Sequence, residues 1–224
     1  MTVIEKSKTK RISAKERQRI NAVLAILADT YKDTKSALKY NSIYQLLIAV
    51  ILSAQTNDNQ VNKITDVLFI DHGTPETMVT LTLSEMEEYI KTCGLYKNKA
   101  KNVLATSQIL LDQYSGQVPD SREELMKLPG VGRKTANVVL SVGFGKPALA
   151  VDTHVFRVSH RLGLSDGKDP LETEVDICRV IPEKDWADAH HWLIWHGRKV
   201  CSAQKPKCDS CPLVAFCRYG EEKQ

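Results

Sequence analysis

The chain has 224 residues, of which 42% are hydrophobic and 26% charged, and carries a formal net charge of +4. A chain of this length buries roughly 70% of its unfolded surface, enough for a core without disulfide staples, and its composition is that of a globular protein. No run reaches the ~18 apolar residues of a membrane span, since "NSIYQLLIAVILSAQ" stops short.

The first residues, "MTVIEKSKTKRISAKERQR", lack the apolar centre of a secretory signal, which makes the cytoplasm the expected location. Local charge says more than the net value. From Glu5 to Arg19 there are seven Lys or Arg against two Glu, and from Lys91 to Lys101 four lysines and no acid. Such an excess suits a polyanion, and suits a merely solvated face as well.

Apolar residues recur at helical spacing almost throughout, with no convincing period-two run, so the expected class is all-α. The pattern predicts helices near 13–30, 42–54, 58–70, 75–80, 84–92, 97–114, 121–127, 133–143, 153–162 and 170–198, the last broken at Pro182. Three capping boxes are expected: Ser13 with Glu16, Ser84 with Glu87, and Ser121 with Glu124. Gly94 and Gly116 read as helix stops, and Asp58 as a helix cap. No flexible linker separates domains.

Four of six cysteines, Cys201, Cys208, Cys211 and Cys217, fall in the last 24 residues with the spacing C-x6-C-x2-C-x5-C. Without an export signal a disulfide framework is not expected. Four crowded thiolates suit Zn(Cys)4 or a [4Fe–4S] cluster. One short gap between two longer ones favours the larger group. The loop between the first two, "SAQKPK", brings Lys205 and Lys207 to the surface, which fits a phosphate-binding loop propped by the metal group. Cys93 and Cys178 stand alone as buried small hydrophobes. The histidines at 154, 160, 190, 191 and 196 show no ligand spacing, and the tryptophans at 186, 192 and 195 read as packing.

In "SREELMKLPGVGRKTANVVL" a short helix ends near Lys127 and a longer one begins near Gly132. Pro129 stops the first, and Gly130 and Gly132 allow backbone conformations and close approaches that a Cβ resists. Amides at the start of the second helix then offer an anion site, a way to grip a DNA backbone without reading sequence. An ordinary interhelical turn accounts for the same residues.

The combination is more specific. This hairpin, Asp152 in "AVDTHVFRV" 18 residues after Lys134, "LSAQTND" upstream and the four-cysteine tail together resemble the endonuclease III family. These are iron–sulfur, helix-hairpin-helix DNA glycosylases with abasic-site lyase activity. The resemblance runs from about Ile20 to Cys217. It implies a six-helix barrel over 36–147 containing the hairpin at 121–143. It also implies a discontinuous cluster domain of 1–35 with 148–224, whose [4Fe–4S] loop is 201–217, and a DNA-binding cleft between the two lobes.

By the same resemblance the partner is double-stranded DNA carrying damaged pyrimidines or abasic sites, met as a monomer beside the chromosome. Lys134 is the expected nucleophile at C1′ of an extruded nucleoside, and Asp152 the essential carboxylate. To attack, a lysine must lose its proton, which the positive end of a helix and burial against the nucleoside both favour. A Schiff base and β-elimination follow. Holding phosphate is the simpler role for Lys134, and capping the next helix is the simpler role for Asp152. Gln55 and Leu95 match residues that enter the duplex. Leu128, Gly130, Gly132, Arg133, Lys205 and Lys207 are expected at the DNA backbone. Related adenine glycosylases lack the lysine and add a C-terminal domain not seen here, and mismatch thymine glycosylases place a tyrosine at Lys134. A non-catalytic helix-hairpin-helix module and an electron-transfer protein are the alternatives of other classes.

Overall fold

The computed structural model describes residues 12–34 and 36–221, and these are helices joined by turns, with no strand among them. The basic run up to Arg11 lies outside the described residues. In chain order the first helices are α1 (Ala14–Thr30), α2 (Ile43–Leu52), α3 (Asp58–Asp71), α4 (Pro75–Met78), α5 (Leu83–Ile90) and α6 (Tyr96–Tyr114). Then come α7 (Arg122–Leu125), α8 (Arg133–Val138), α9 (Thr153–Leu162), α10 (Pro170–Val180), α11 (Trp186–Lys199) and α12 (Arg218–Glu221). The chain divides into two compact units, one of Ser36–Ala148, the other of Met1–Lys35 with Leu149–Gln224.

The Ser36–Ala148 unit is built round α2. Its sequence, IYQLLIAVIL, is apolar on every face, and Tyr44 and Leu46 through Leu52 are all buried. A helix apolar all round belongs in the middle of a core. Met78, Met86, Ile90, Val103, Leu110, Leu125 and Val139 pack with it in one cluster. Inside this apolar mass the Tyr44 hydroxyl meets Ser107 Oγ at 2.6 Å. Ser107 donates to Val103 O, so Tyr44 is the donor of the pair.

The other unit packs Ile20, Val23 and Leu27 of α1 against Val155, Val158 and Leu162 of α9, with Ile177, Ala189 and Leu193 from α10 and α11. Arg19 reaches across it. Its guanidinium donates to Leu162 O (2.7 Å), Gly163 O (3.0 Å) and Phe216 O (2.6 Å), and pairs with Glu16 at 2.8 Å. Glu16 also accepts from Arg218 at 2.9 Å. Three stretches distant in sequence meet at one ion pair.

The predicted helices are present, with differences that have local causes. Ser13 and Ser121 cap α1 and α7, each accepting a third-residue amide at 3.2 Å. Neither makes a reciprocal box: Glu16 turns to its arginines, and Glu124 to Tyr114 and Lys127. Ser84 does not cap α5. "TLSEMEE" contains two overlapping boxes, and the helix starts at the earlier, Thr82 with Glu85, which adds backbone hydrogen bonds. Asn57, not Asp58, caps α3, accepting from Gln60 N at 2.9 Å. The expected regular helix to residue 143 instead widens into a π-turn over Val139–Gly143. There Ser141 Oγ bonds back to Asn137 O at 2.9 Å. Pro182 breaks the long C-terminal run as expected, leaving Ile181 extended between α10 and α11. Among the described residues no helix is long and apolar enough to cross a membrane.

The arginine neighbours hold the Glu16 carboxyl at about 2, well under its ordinary value. A depressed native pKa contributes stability that is complete above the ordinary carboxylate range and lost as pH falls toward 2. Glu16→Gln is therefore expected to flatten the acid limb: thermal melts from about pH 5 downward should converge for variant and wild type. Parallel melting curves across that range would show that the pair contributes nothing.

Candidate active site and cysteine centre

In the Ser36–Ala148 unit the hairpin joins α7 to α8. Leu128 and Val131 point into the core, 2% and 6% exposed, and anchor the turn from beneath. Leu128 therefore offers an outside partner its backbone, not its side chain. Pro129 O accepts from Thr106 Oγ1 at 2.9 Å. Gly130 has φ +78, and a Cβ there would lie 2.9 Å from Asn102 Nδ2, so conformation and crowding both demand glycine. Gly132 is exposed at the N-cap of α8, where no side chain caps the helix. The turn thus presents bare backbone at a helix start, the arrangement that binds anions. Arg133 is half-buried at the first position of α8 and Lys134 exposed at the second. Buried Asn137 accepts from Arg122 Nε at 2.7 Å and ties the two hairpin helices together.

Gln55 and Leu95 are brought together from 40 residues apart. Gln55 (φ 55) and Leu95 (φ 59) are two of three non-glycine residues with positive φ among those described. Both side chains are exposed, Leu95 to 58%. Their loops interlock: Gly94 N donates to Thr56 Oγ1 at 3.3 Å, and a Cβ on Gly94 would lie 3.1 Å from Gln55 O. Beneath them lies Lys99. Of the four lysines in the basic run, Lys91, Lys97 and Lys101 are exposed, but Lys99 turns inward and is 3% exposed, so it is no part of a basic surface.

In the other unit Asp152 caps α9, accepting from Val155 N at 2.7 Å. It remains half-buried, with its second oxygen available to further donors. His154 is held below its ordinary pKa, chiefly by burial, with Asp152 acting in the opposite direction.

The four tail cysteines all carry free thiols and line one pocket, together with Leu162, His196 and Val214. Burial pushes the thiols of Cys211 and Cys217 upward in pKa. Four soft ligands round a mostly apolar hollow fit a thiolate-bound metal group, whose positive charge would reverse that effect. Among the described residues no three His, Cys, Asp or Glu side chains are already arranged round a single ion. Short turns at Cys208–Ser210 and Val214–Phe216 shape the wall.

Two arginines one helical turn apart on α9 hold the tail from behind. Arg157 donates to Cys201 O (3.1 Å) and Gly197 O (3.1 Å). Arg161 donates to Ser202 O (2.7 Å) and Ala203 O (2.8 Å) and lies 3.4 Å from Cys201 Sγ. Lys205 and Lys207 are exposed on the loop so fixed, and Lys207 also lines the pocket. His196 is buried as packing, with Tyr31 OH at 3.0 Å and Cys211 Sγ at 3.7 Å. Sequence reasoning missed Lys99, hidden in a basic run, and the pair Arg157 and Arg161, whose i,i+4 spacing on the polar side of an amphipathic helix was the available signal.

Residues 48–183 match the model of the HhH-GPD superfamily base excision DNA repair proteins. The chain is 46% identical over 207 residues to endonuclease III of Bacillus subtilis, an alignment spanning 92% of this chain and 94% of that one. It is 45% identical over 216 residues to endonuclease III of Haemophilus influenzae, spanning 96% and 98%. A solved structure of a trapped endonuclease III–DNA covalent intermediate superposes with a TM-score of 0.88 at 48% identity, covering 92% of this chain and 98% of that one. Since the likeness runs through nearly the full length of both sequence and fold, the chain belongs to the endonuclease III family of helix-hairpin-helix base-excision repair enzymes, DNA glycosylases that are also abasic-site lyases.

Proposed function

We propose that Lys134 is the nucleophile of this glycosylase and lyase, and that the hairpin backbone at Gly130 and Gly132 holds the DNA phosphate beside it. One observation carries the reading: an exposed lysine stands in the first turn of an uncapped hairpin helix, in a chain whose relative has been caught as a covalent intermediate with DNA. The substrate is duplex DNA with an oxidised pyrimidine or an abasic site, bound by a monomer working beside the chromosome. Arg133, Lys205 and Lys207 add cationic contacts to the backbone, and Leu128 contributes through its main chain.

The damaged nucleoside leaves the stack, at a cost of a few kcal/mol that is least for damaged bases. Lys134, deprotonated, attacks C1′; the C1′–N bond breaks and the base departs with a proton. Ring opening gives a Schiff base between Nζ and C1′. Loss of a C2′ proton then expels the 3′ phosphate by β-elimination. Asp152 stabilises the positive charge that develops on the sugar. Gln55 and Leu95 enter the duplex, one filling the vacated space and the other wedging the opposite strand.

The family carries a [4Fe–4S] cluster. In this chain Cys201, Cys208, Cys211 and Cys217 are the residues to hold it. It would supply rigidity to the tail and so position the lysine-bearing loop. We read the Ser36–Ala148 unit as the helical domain bearing the hairpin and the other unit as the discontinuous cluster domain.

Borohydride trapping on a duplex with one thymine glycol should give a covalent adduct with wild type and none with Lys134→Ala. Base release without an adduct in the wild type would make Lys134 a phosphate contact only. Asp152→Asn separates cap from catalyst, since asparagine caps helices as well as aspartate does. It should melt within about 0.5 kcal/mol of wild type yet turn over at least about a hundredfold more slowly; near-normal turnover would leave the residue a cap alone. Purified protein should contain about four irons per chain, and Cys208→Ser should lose most of them. One zinc in place of iron would select the alternative centre.

A further inference from the structure

Among the described residues no other lysine or arginine is as buried as Lys99. Its ammonium donates to Leu52 O at 2.8 Å, Ala54 O at 2.5 Å and Thr56 Oγ1 at 2.9 Å. Those three bonds use all its hydrogens. Among the described residues no carboxylate pairs with it, and the ionisable group that acts on it is the Cys93 thiol. Burying a cation without a counterion is costly, and an apolar side chain of similar length would avoid that cost only by leaving its three acceptors without their donor. The use of the charge therefore lies in those acceptors.

The acceptors show what it is. Leu52 ends α2, where unbonded carbonyls and the negative end of the helix dipole meet the cation. Ala54 and Thr56 flank Gln55, so one ammonium grips the chain on both sides of a left-handed residue. Thr56 Oγ1, while accepting from Lys99, also accepts from Gly94 N, the residue before Leu95. Lys99 itself lies one turn into α6, the helix that Leu95 begins. A non-glycine residue in the left-handed region is held against roughly 1 kcal/mol or more of local strain. Two such residues, side by side and both exposed, share this one buried anchor.

We propose that Lys99 is a positioning residue for base extrusion: by binding Leu52, Ala54 and Thr56 it fixes Gln55 and Leu95 in paired left-handed conformations that present both side chains for entry into the duplex. The proposal rests on the reading that Gln55 and Leu95 enter the DNA.

The test compares two substrates. One is a fully paired duplex with thymine glycol, from which a base must be extruded. The other is a single-stranded oligonucleotide with a preformed abasic site, from which nothing must be extruded. Lys99→Met, which keeps length and loses the donors, should slow base release from the duplex about ten- to a hundredfold in single turnover. Strand cleavage at the single-stranded site should stay within about twofold, because Lys134 is untouched. Lys99→Arg, retaining donors in an altered geometry, should fall between. Combining Lys99→Met with Gln55→Ala and Leu95→Ala should add little to the loss those two substitutions cause themselves.

Equal loss on both substrates would mean that Lys99 merely holds the fold, and no loss on either would mean that it positions nothing; either result overturns the proposal. Should Lys99→Met fail to fold, Thr56→Val carries the same comparison, with a severalfold loss expected on the duplex alone. If Gln55→Ala with Leu95→Ala releases base at the wild-type rate, the duplex-entry reading fails, whatever Lys99 does.

Discussion

A helix that is apolar on every side must lie in the middle of a core, and a helix in the middle of a core cannot send its last carbonyls to water. Much of the Ser36–Ala148 unit follows from that constraint on α2. Eight of its ten residues are buried, and its C-terminal carbonyls are met from inside the protein, by Ser53 and by the ammonium of Lys99. The turn that follows is thereby fixed by the same group that satisfies the helix. Polar satisfaction of a buried element and orientation of two exposed side chains are one piece of chemistry.

The other unit solves a similar problem with guanidinium groups. The C-terminal tail has only short turns and few deeply buried apolar residues, Leu213 among them. Its carbonyls, and those at the end of α9, are collected by Arg19, Arg157 and Arg161. A planar fork that donates several hydrogen bonds in fixed directions suits this task better than an ammonium does. The four cysteine thiols line one pocket within the tail so held, and a bound metal group would complete it.

Much of this was legible in the sequence because it depends on local rules. Helical periodicity, proline breaks and serine caps found the elements, and the hairpin glycines, Lys134 and the cysteine spacing marked the candidate chemistry. What could not be read depended on which of two local signals wins, or on contacts distant in sequence. The start of α5 lay between two overlapping capping boxes. The π-turn after α8 arises where α2 comes close: a Cβ on Gly143 would lie 3.1 Å from Leu46 Cδ2. Lys99 looked like its exposed neighbours, since composition does not tell which lysine of a run faces inward. Leu128 carried a family expectation, but its side chain is one of the turn's anchors in the core.

The same helix that begins at Leu95 also carries, farther along, the two side chains that steady the hairpin: Asn102 crowds Gly130, and Thr106 bonds Pro129 O. Between Leu95 and Thr106 lie three turns of one continuous helix, about 16 Å of rise. Backbone hydrogen bonds along its length resist stretching of this helix. The exposed loop at one end and the hairpin turn alongside it are mounted on a common bar, with their spacing set by residue count. Inserting or deleting a residue between them would change that gauge by 1.5 Å and rotate one end relative to the other by about 100°, so this stretch of chain tolerates substitution far better than it tolerates a change in length.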